Sequence, residues 1–481
     1  MGNLHLKESK KLALKTLLNK STIISILIGI VLLGSYQANA QMDCRSMIGA
    51  HLTPISEKIP ISWAIEGTMA PGMMTSPWDD KDNAKLNGGM LIGALEFSLS
   101  KKSNIYIEGG YKNWQNSELV VDDNQKSRHL GIRQFFYTYT AENTKVKLGL
   151  HETRLGEFFL VDERVLGTSI DHEMGAFNLN LRGATVMKNF ARMGQFCSNR
   201  HLYGVTHPNY TERIGEDPGD TNMAGLVINW DPHYVKPVKS PASDDEFQDN
   251  DDEFQDSSDE FIDSNDANHE NHDFSEFGES SEFGSSGKTK NKIVLNNVAL
   301  ILYDEFGQED FIPENKIYVG SLLDFTLPQE FFFQTGGIYQ NMENNNSVAY
   351  IAKLGRNFTW KDASNTKVSA AYIGQLNIDE DALFQPLFSN LFLGEIMRMD
   401  AIDFPLWQAA VKHRFPGKLK FHIAVKGVGQ VEKANTNEQN IEAGIMLFKN
   451  HLKVTLVGSH VSTDLLPNDF NTARLEMRLA F

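Results

Sequence analysis

From about Ile61 to the C-terminus, the chain is built of short runs in which apolar and polar residues alternate, cut by Gly, Asn, Asp and Lys. A period of two sends successive side chains to opposite faces of a strand, so the pattern predicts β-structure almost throughout. The clearest predicted hairpin runs from Ile441 to Val461. Ile441, Ala443, Ile445 and Leu447 alternate with Glu442, Gly444, Met446 and Phe448. After a turn at Asn450-His451, Leu452, Val454 and Leu456 alternate with Lys453, Thr455 and Val457. Leu419, Phe421, Ile423 and Val425 repeat the theme after Phe415-Pro416-Gly417-Lys418, where Gly417 suits a tight reversal. Further strands are predicted at 104–114, 128–140, 145–154, 222–231, 292–303, 316–327, 330–341 and 348–360. Only 379–397 has room for a helical turn or two.

These runs are about ten to thirteen residues long, whereas soluble strands average about five or six. A tilted strand crossing a bilayer needs about nine to eleven. Short turns at 100–103, 141–144, 328–329 and 449–451 alternate with longer connections, the rhythm of a membrane barrel. Trp114, Trp230 and Trp360 fall at strand ends and Trp407 near a strand start, the positions of an interfacial girdle. Seven strands precede an acidic segment and ten follow it. Single-chain bacterial barrels close on an even number. The prediction is therefore an all-β transmembrane antiparallel barrel of sixteen or eighteen strands, with one strand miscounted, most readily between Gly183 and Asp220.

The first forty residues read differently. Lys7, Lys10, Lys11, Lys15 and Lys20 precede an apolar run from Ile23 to Leu33, and Ala38 and Ala40 flank Asn39. A basic start, a short apolar centre and an A-x-A end predict a secretory signal at 1–40, cut after Ala40. An uncleaved anchor would need about twenty apolar residues. Residues 41–60 are then an N-terminal periplasmic or lumenal segment, and 61–481 the barrel, interrupted by 240–291. Cys44 and Cys197 either form one disulfide in an oxidising compartment or stay separate. Gln41, Met42 and Asp43 before Cys44 do not suit a lipoprotein.

The net charge of −17 belongs to one place. Ser240 to Gly287 holds seventeen Asp plus Glu and no Lys or Arg, leaving 45 acidic against 45 basic residues elsewhere. Asp-Asp-Glu-Phe-Gln-Asp recurs at 244–249 and 251–256. So much charge with so little apolar surface predicts a disordered insertion. It is either without a specific duty, a low-affinity reservoir for divalent cations, or a strip whose phenylalanines meet a protein partner. No EF-hand spacing is present, and neither a metal site nor a cofactor is expected.

At the C-terminus Ala473, Leu475, Met477, Leu479 and Phe481 face one way and Arg474, Glu476, Arg478 and Ala480 the other. An amphipathic strand ending on Phe resembles the last strand of bacterial outer-membrane β-barrel proteins. That resemblance implies recognition of Phe481 by the barrel assembly machinery, an outer-membrane location and contact with outer-membrane lipid.

Alternation also nominates lumen residues: Glu108, Lys112, Lys145, Lys147, His151, Lys412, Arg414, Lys420, His422, Lys426, Arg474, Glu476 and Arg478. Bases outnumber acids among them. Such a wall either concentrates anions or merely solvates the interior. Between 145 and 181 the sequence reads strand, long loop, strand, with Arg154, Glu157, Asp162, Glu163 and Arg164 in the loop. Following the strand that ends in Gly149-Leu150-His151-Glu152, the loop resembles the inward-folded constriction loop of porins and porin-like sugar-acid exporters. By that resemblance Asp162 and Glu163 face Arg133, Arg182, Lys145 and Lys147 across the pore. No G-x-S-x-G, H-E-x-x-H, C-x-x-C or Walker loop occurs, so an enzyme is not expected. The oxygen-rich turn at 216–222 is explained by turn chemistry. The functional expectation is a passive or weakly selective channel for small hydrophilic solutes, anion-preferring on one reading. Its rival is a plugged, non-conducting barrel serving as scaffold in a surface or secretion complex. No nucleic-acid partner is implied.

Overall fold

In the computed structural model the alternating runs hydrogen-bond into one closed antiparallel wall. The structure describes residues 48–56, 59–79, 83–115, 126–156, 160–187, 215–235, 292–310, 312, 314–343, 345–379, 382–387, 391–392, 398–399, 405–430, 436–448, 450–464 and 466–481. The predicted signal at 1–40, Cys44, Cys197, Glu157 and the acidic segment 240–291 lie outside them.

A 3-10 turn at Ile48–His51 leads into β1 (Thr53–Ser56), β2 (Ile59–Met69) and β3 (Gly72–Met74). The wall continues through β4 (Ala84–Ser100), β5 (Ser103–Gln115), β6 (Lys126–Thr140), β7 (Thr144–Leu155), β8 (Val161–Met174), β9 (Phe177–Thr185) and β10 (Thr221–Trp230). Beyond the acidic segment come β11 (Val294–Gly307), β12 (Lys316–Leu327), β13 (Phe331–Asn341), β14 (Ser347–Thr359) and β15 (Asn365–Asn377). A separate ribbon pairs β16 (Leu391–Phe392) with β17 (Arg398–Met399). The wall resumes with β18 (Leu406–Arg414), β19 (His422–Gln430), β20 (Asn437–Leu447), β21 (Leu452–Ser462) and β22 (Phe470–Ala480).

β2 pairs with both β4 and β22, which closes the barrel, and β3 continues it between the same two neighbours. The wall therefore has eighteen strands. The miscounted strand is β8, not a strand between Gly183 and Asp220. Its distal sequence, Val161-Asp162-Glu163-Arg164-Val165, carries three charges in a row and looks like a loop. The expected helical turn over 379–397 is replaced, among the described residues, by the extended stretch 382–387 and the small ribbon.

Alternation decides what faces lipid. On β11, Ala299, Ile301, Tyr303 and Glu305 are buried inside, while Leu300, Leu302 and Phe306 are exposed outside. On β22, Leu475 points outward and Glu476 and Arg478 inward, as predicted. A closed wall leaves no unpaired edge, and its outer apolar band satisfies hydrocarbon. This is the architecture of the bacterial outer membrane. Among the described residues no helix is long and apolar enough to cross a membrane.

The turns at 101–102, 141–143, 175–176, 328–330, 360–364, 415–421 and 448–451 share one rim with the start of β2 and the end of β22. Gly417, at φ 116°, makes the reversal expected of it. Short turns mark the periplasmic end of such barrels. β10 ends and β11 begins on this same rim. Trp230 and Trp360 lie at this rim, and Trp407 at the opposite end of the wall.

Candidate functional site in the lumen

The wall is interrupted where β7 leaves β6. Their pairing stops at Phe135–Leu150, yet β7 and β8 stay paired from Leu150–Leu166 to Leu155–Val161. The departure falls beside Gly149, at φ 123°, where a Cβ would collide with the Phe135 carbonyl. Only glycine takes this backbone at low cost. Beyond it the hairpin end is inside the barrel: Val161, Asp162, Glu163, Arg164 and Val165 are all buried, on both strand faces. One face packs Leu155 over Gly225 of β10, in the space a Cβ would fill. The other looks toward β5 and β6, placing Arg164 near Arg133 and Lys112. The Glu152 N–H donates to Gln134 Oε1 at 3.4 Å.

The sequence-nominated residues divide into two groups. In the first, the Arg133 Nε–H donates to Glu108 Oε1 at 2.6 Å, with both side chains buried. Arg133 is the extra residue of a β-bulge between β5 and β6, which turns it inward beside Gln134. Asp162 and Glu163 sit on β8 rather than on a loop. Arg154 Nε donates to Asp162 Oδ1 at 3.0 Å across the hairpin, and the Arg164 N–H donates to Glu163 Oε1 at 2.8 Å.

The second group lies nearer the periplasmic rim. Arg182 on β9 donates to Asp171 Oδ1 of β8 at 2.6 Å and to the carbonyls of Ile170 and Leu181. Its carboxylate is therefore Asp171, which sequence reasoning passed over, and not Asp162 or Glu163. Lys145 and Lys147 stand beside it, opposite Asp171 and Ser169. The Lys147 ammonium lies 5.2 Å from the centre of the Phe136 ring. No carboxylate of the described residues comes within ion-pair distance of either lysine. His151 Nε2 meets Ser169 Oγ at 2.5 Å.

Elsewhere the wall mixes signs more evenly than expected. His422 pairs with Glu442 at 2.6 Å, and Glu476 holds Arg478 at 2.5 Å and Arg474 at 3.4 Å. Buried Glu66, Glu305, Asp324 and Glu438 also occupy inward positions. Among the described residues the buried inward charges are of both signs. Lys420 belongs to the turn before β19, at φ 43°, and not to the wall.

A second inward element escaped sequence reasoning. The stretch 382–387 lies against the inner faces of β11 to β15. Gln340 donates to the Leu383 carbonyl at 2.7 Å and accepts from the Gln385 N–H at 2.9 Å. Gln375 accepts from the Phe384 N–H at 2.9 Å, and Glu305 from the Leu387 N–H at 2.8 Å. Phe384 packs edge-on against Tyr318, 5.7 Å between ring centres. Leu155, Leu160, Val161, Tyr303, Phe384 and Leu387 belong to one apolar cluster, so the two inward elements share a core inside the barrel. Tyr303 and Tyr318 facing inward were the available signal: an apolar inner face requires a cover.

At the periplasmic mouth, Ile48 of the N-terminal turn is buried against Ala64, Met90, Ile92, Ala94 and Tyr106. Beside it the seam closes by paired backbone bonds between Ile65 and Phe481, 2.8 and 2.9 Å. The Phe481 ring stacks on His451, 5.4 Å between centres. Among the described residues no three His, Cys, Asp or Glu side chains converge as a metal site.

No family model matches the chain, and no curated protein matches it. Among solved structures, the outer membrane protein opdK of Pseudomonas aeruginosa aligns over 87% of this chain and 98% of its own, at 10% identity and a TM-score of 0.49. OccAB4 of Acinetobacter baumannii aligns over 89% and 100%, at 10% identity and a TM-score of 0.49. OpdQ of Pseudomonas aeruginosa aligns over 89% and 99%, at 10% identity and a TM-score of 0.48. The closed eighteen-strand wall, its lipid-facing band and its charged lumen describe a porin-like barrel of the bacterial outer membrane.

Proposed function

We propose that this barrel is an outer-membrane channel for small hydrophilic solutes, narrowed where the β7–β8 hairpin meets the stretch 382–387. The observation that carries this reading is the hairpin itself, bent into the bore at Gly149. Sixteen- to eighteen-stranded walls leave an aqueous channel, so constriction has to come from inward segments. Solutes leaving the constriction pass Lys145 and Lys147, which stand beside Asp171 without an ion pair to any carboxylate of the described residues. These lysines support a mild anion preference. The test is reversal potential in a salt gradient across a planar bilayer. Neutralising Lys145 and Lys147, with Arg133 as a separate variant, is expected to shift selectivity toward cations. Unchanged selectivity in the lysine pair removes the anion reading, while a folded barrel that never conducts removes the channel.

One observation favours the rival scaffold. Ile48 sits inside the mouth with full burial, as the end of a plug would. If removal of 41–52 alone opens a conductance, the intact chain is a plugged barrel. Under either reading the amphipathic β22 ending in Phe481 serves as the signal for the barrel assembly machinery.

A further inference from the structure

Independently of what crosses the lumen, we propose that Arg356 is a docking point for the phosphate of a phospholipid in the periplasmic leaflet. Arg356 lies on the outward face of β14, opposite Phe331 of β13 and Val368 of β15. Leu354 and Phe358 flank it on its own strand. Its neighbours directly across both strand pairs and along β14 are apolar. In the half of the wall nearest the short turns, no other described Lys or Arg faces outward.

The guanidinium is held by two rings. Its carbon lies 4.6 Å from the centre of Phe358 and 5.1 Å from that of Phe331. Phe358 in turn stacks on Trp360, 6.4 Å between centres and 27° between planes. Cation–π contact fixes the guanidinium plane without using any of its N–H donors. Arg356 Nε is buried and has no hydrogen-bond partner. No carboxylate of the described residues reaches the group.

Depth settles the occupant. Arg356 is three residues from Thr359, where β14 ends at the periplasmic rim. At about 3.4 Å per residue that is about 10 Å along a tilted strand, the level of headgroups and aromatic girdles. A cation there, walled by apolar side chains and lacking a protein anion, faces lipid phosphate. The fork of an arginine matches phosphate oxygens in a bidentate way that a lysine cannot copy.

The experiment is native mass spectrometry of the whole mature protein in mild detergent, titrated with phosphatidylglycerol. Arg356→Gln is expected to weaken retention of the tightest lipid roughly tenfold, as for loss of one charge-assisted pair. Phe358→Leu, which keeps the charge but unfixes its plane, is expected to fall between. Heat-modifiable migration on gels confirms that each variant is folded. Equal lipid retention by wild type and both variants overturns the proposal. So does displacement of the lipid by millimolar inorganic phosphate, which would make the site a general anion site.

Discussion

Glu305 accepts a hydrogen bond at 2.8 Å from the backbone N–H of Leu387, 82 residues further along the chain. The same carboxylate receives the Tyr303 hydroxyl at 3.0 Å, and the Lys316 ammonium lies 3.9 Å away. A wall residue thus fixes a segment within the bore. Glu305→Ala would leave a buried N–H without this acceptor, a local cost of about 1–3 kcal/mol. The stretch 382–387 is expected to loosen. Single-channel recordings should then show larger, noisier steps; identical traces would show that the segment does not limit the current.

Arg133 and Glu108 form a buried pair, and removing Arg133 takes a compensating cation from a carboxylate that also accepts from Tyr106 and Gln134. Arg133→Ala alone should cost about 3–5 kcal/mol of local stability. Replacing both by apolar residues of similar volume should restore much of it. Heat-modifiability midpoints of the single and double variants measure this directly. A double variant no better than the single would mean that the pair is not the unit.

At Gly149 a side chain meets the Phe135 carbonyl and a backbone φ of 123°. Gly149→Val is expected to cost about 1–3 kcal/mol, the range for an enforced strained conformation. Relief is available by letting the hairpin rejoin β6 in the wall. The expected readout is a folded barrel with raised conductance, and a drop in conductance would contradict the inward placement of the hairpin.

Phe481 contributes its backbone to the seam and its ring to His451. Phe481→Ala keeps the former and loses the latter. The predicted effect is slower appearance of the heat-modifiable form in cells, with a smaller effect on refolding of the purified chain. Equal deficits in both settings would assign Phe481 to stability and not to recognition.

β22 was legible because its two faces meet opposite solvents, hydrocarbon at Leu475 and water or charge at Glu476 and Arg478. β8 was not, because its distal end is buried on both sides. Once Val161, Asp162, Glu163 and Arg164 all lie in one enclosed space, the period-two contrast disappears. The lysines at 145 and 147 could be read from alternation, but Asp171 could not be assigned to Arg182 without the register of β8 against β9. Arg133 faces Glu108 only because a bulge adds a residue to β6. The seat of 382–387 is built from single side chains on β11, β12, β13 and β15, too scattered to form a motif.

Parity carries a consequence for the two strand ends at Trp230 and Val294. A chain that has crossed a membrane an even number of times is back on the side where it began. Trp230 ends the eighth wall strand and Val294 begins the ninth, so both stand on the same side of the membrane as the two ends of the barrel.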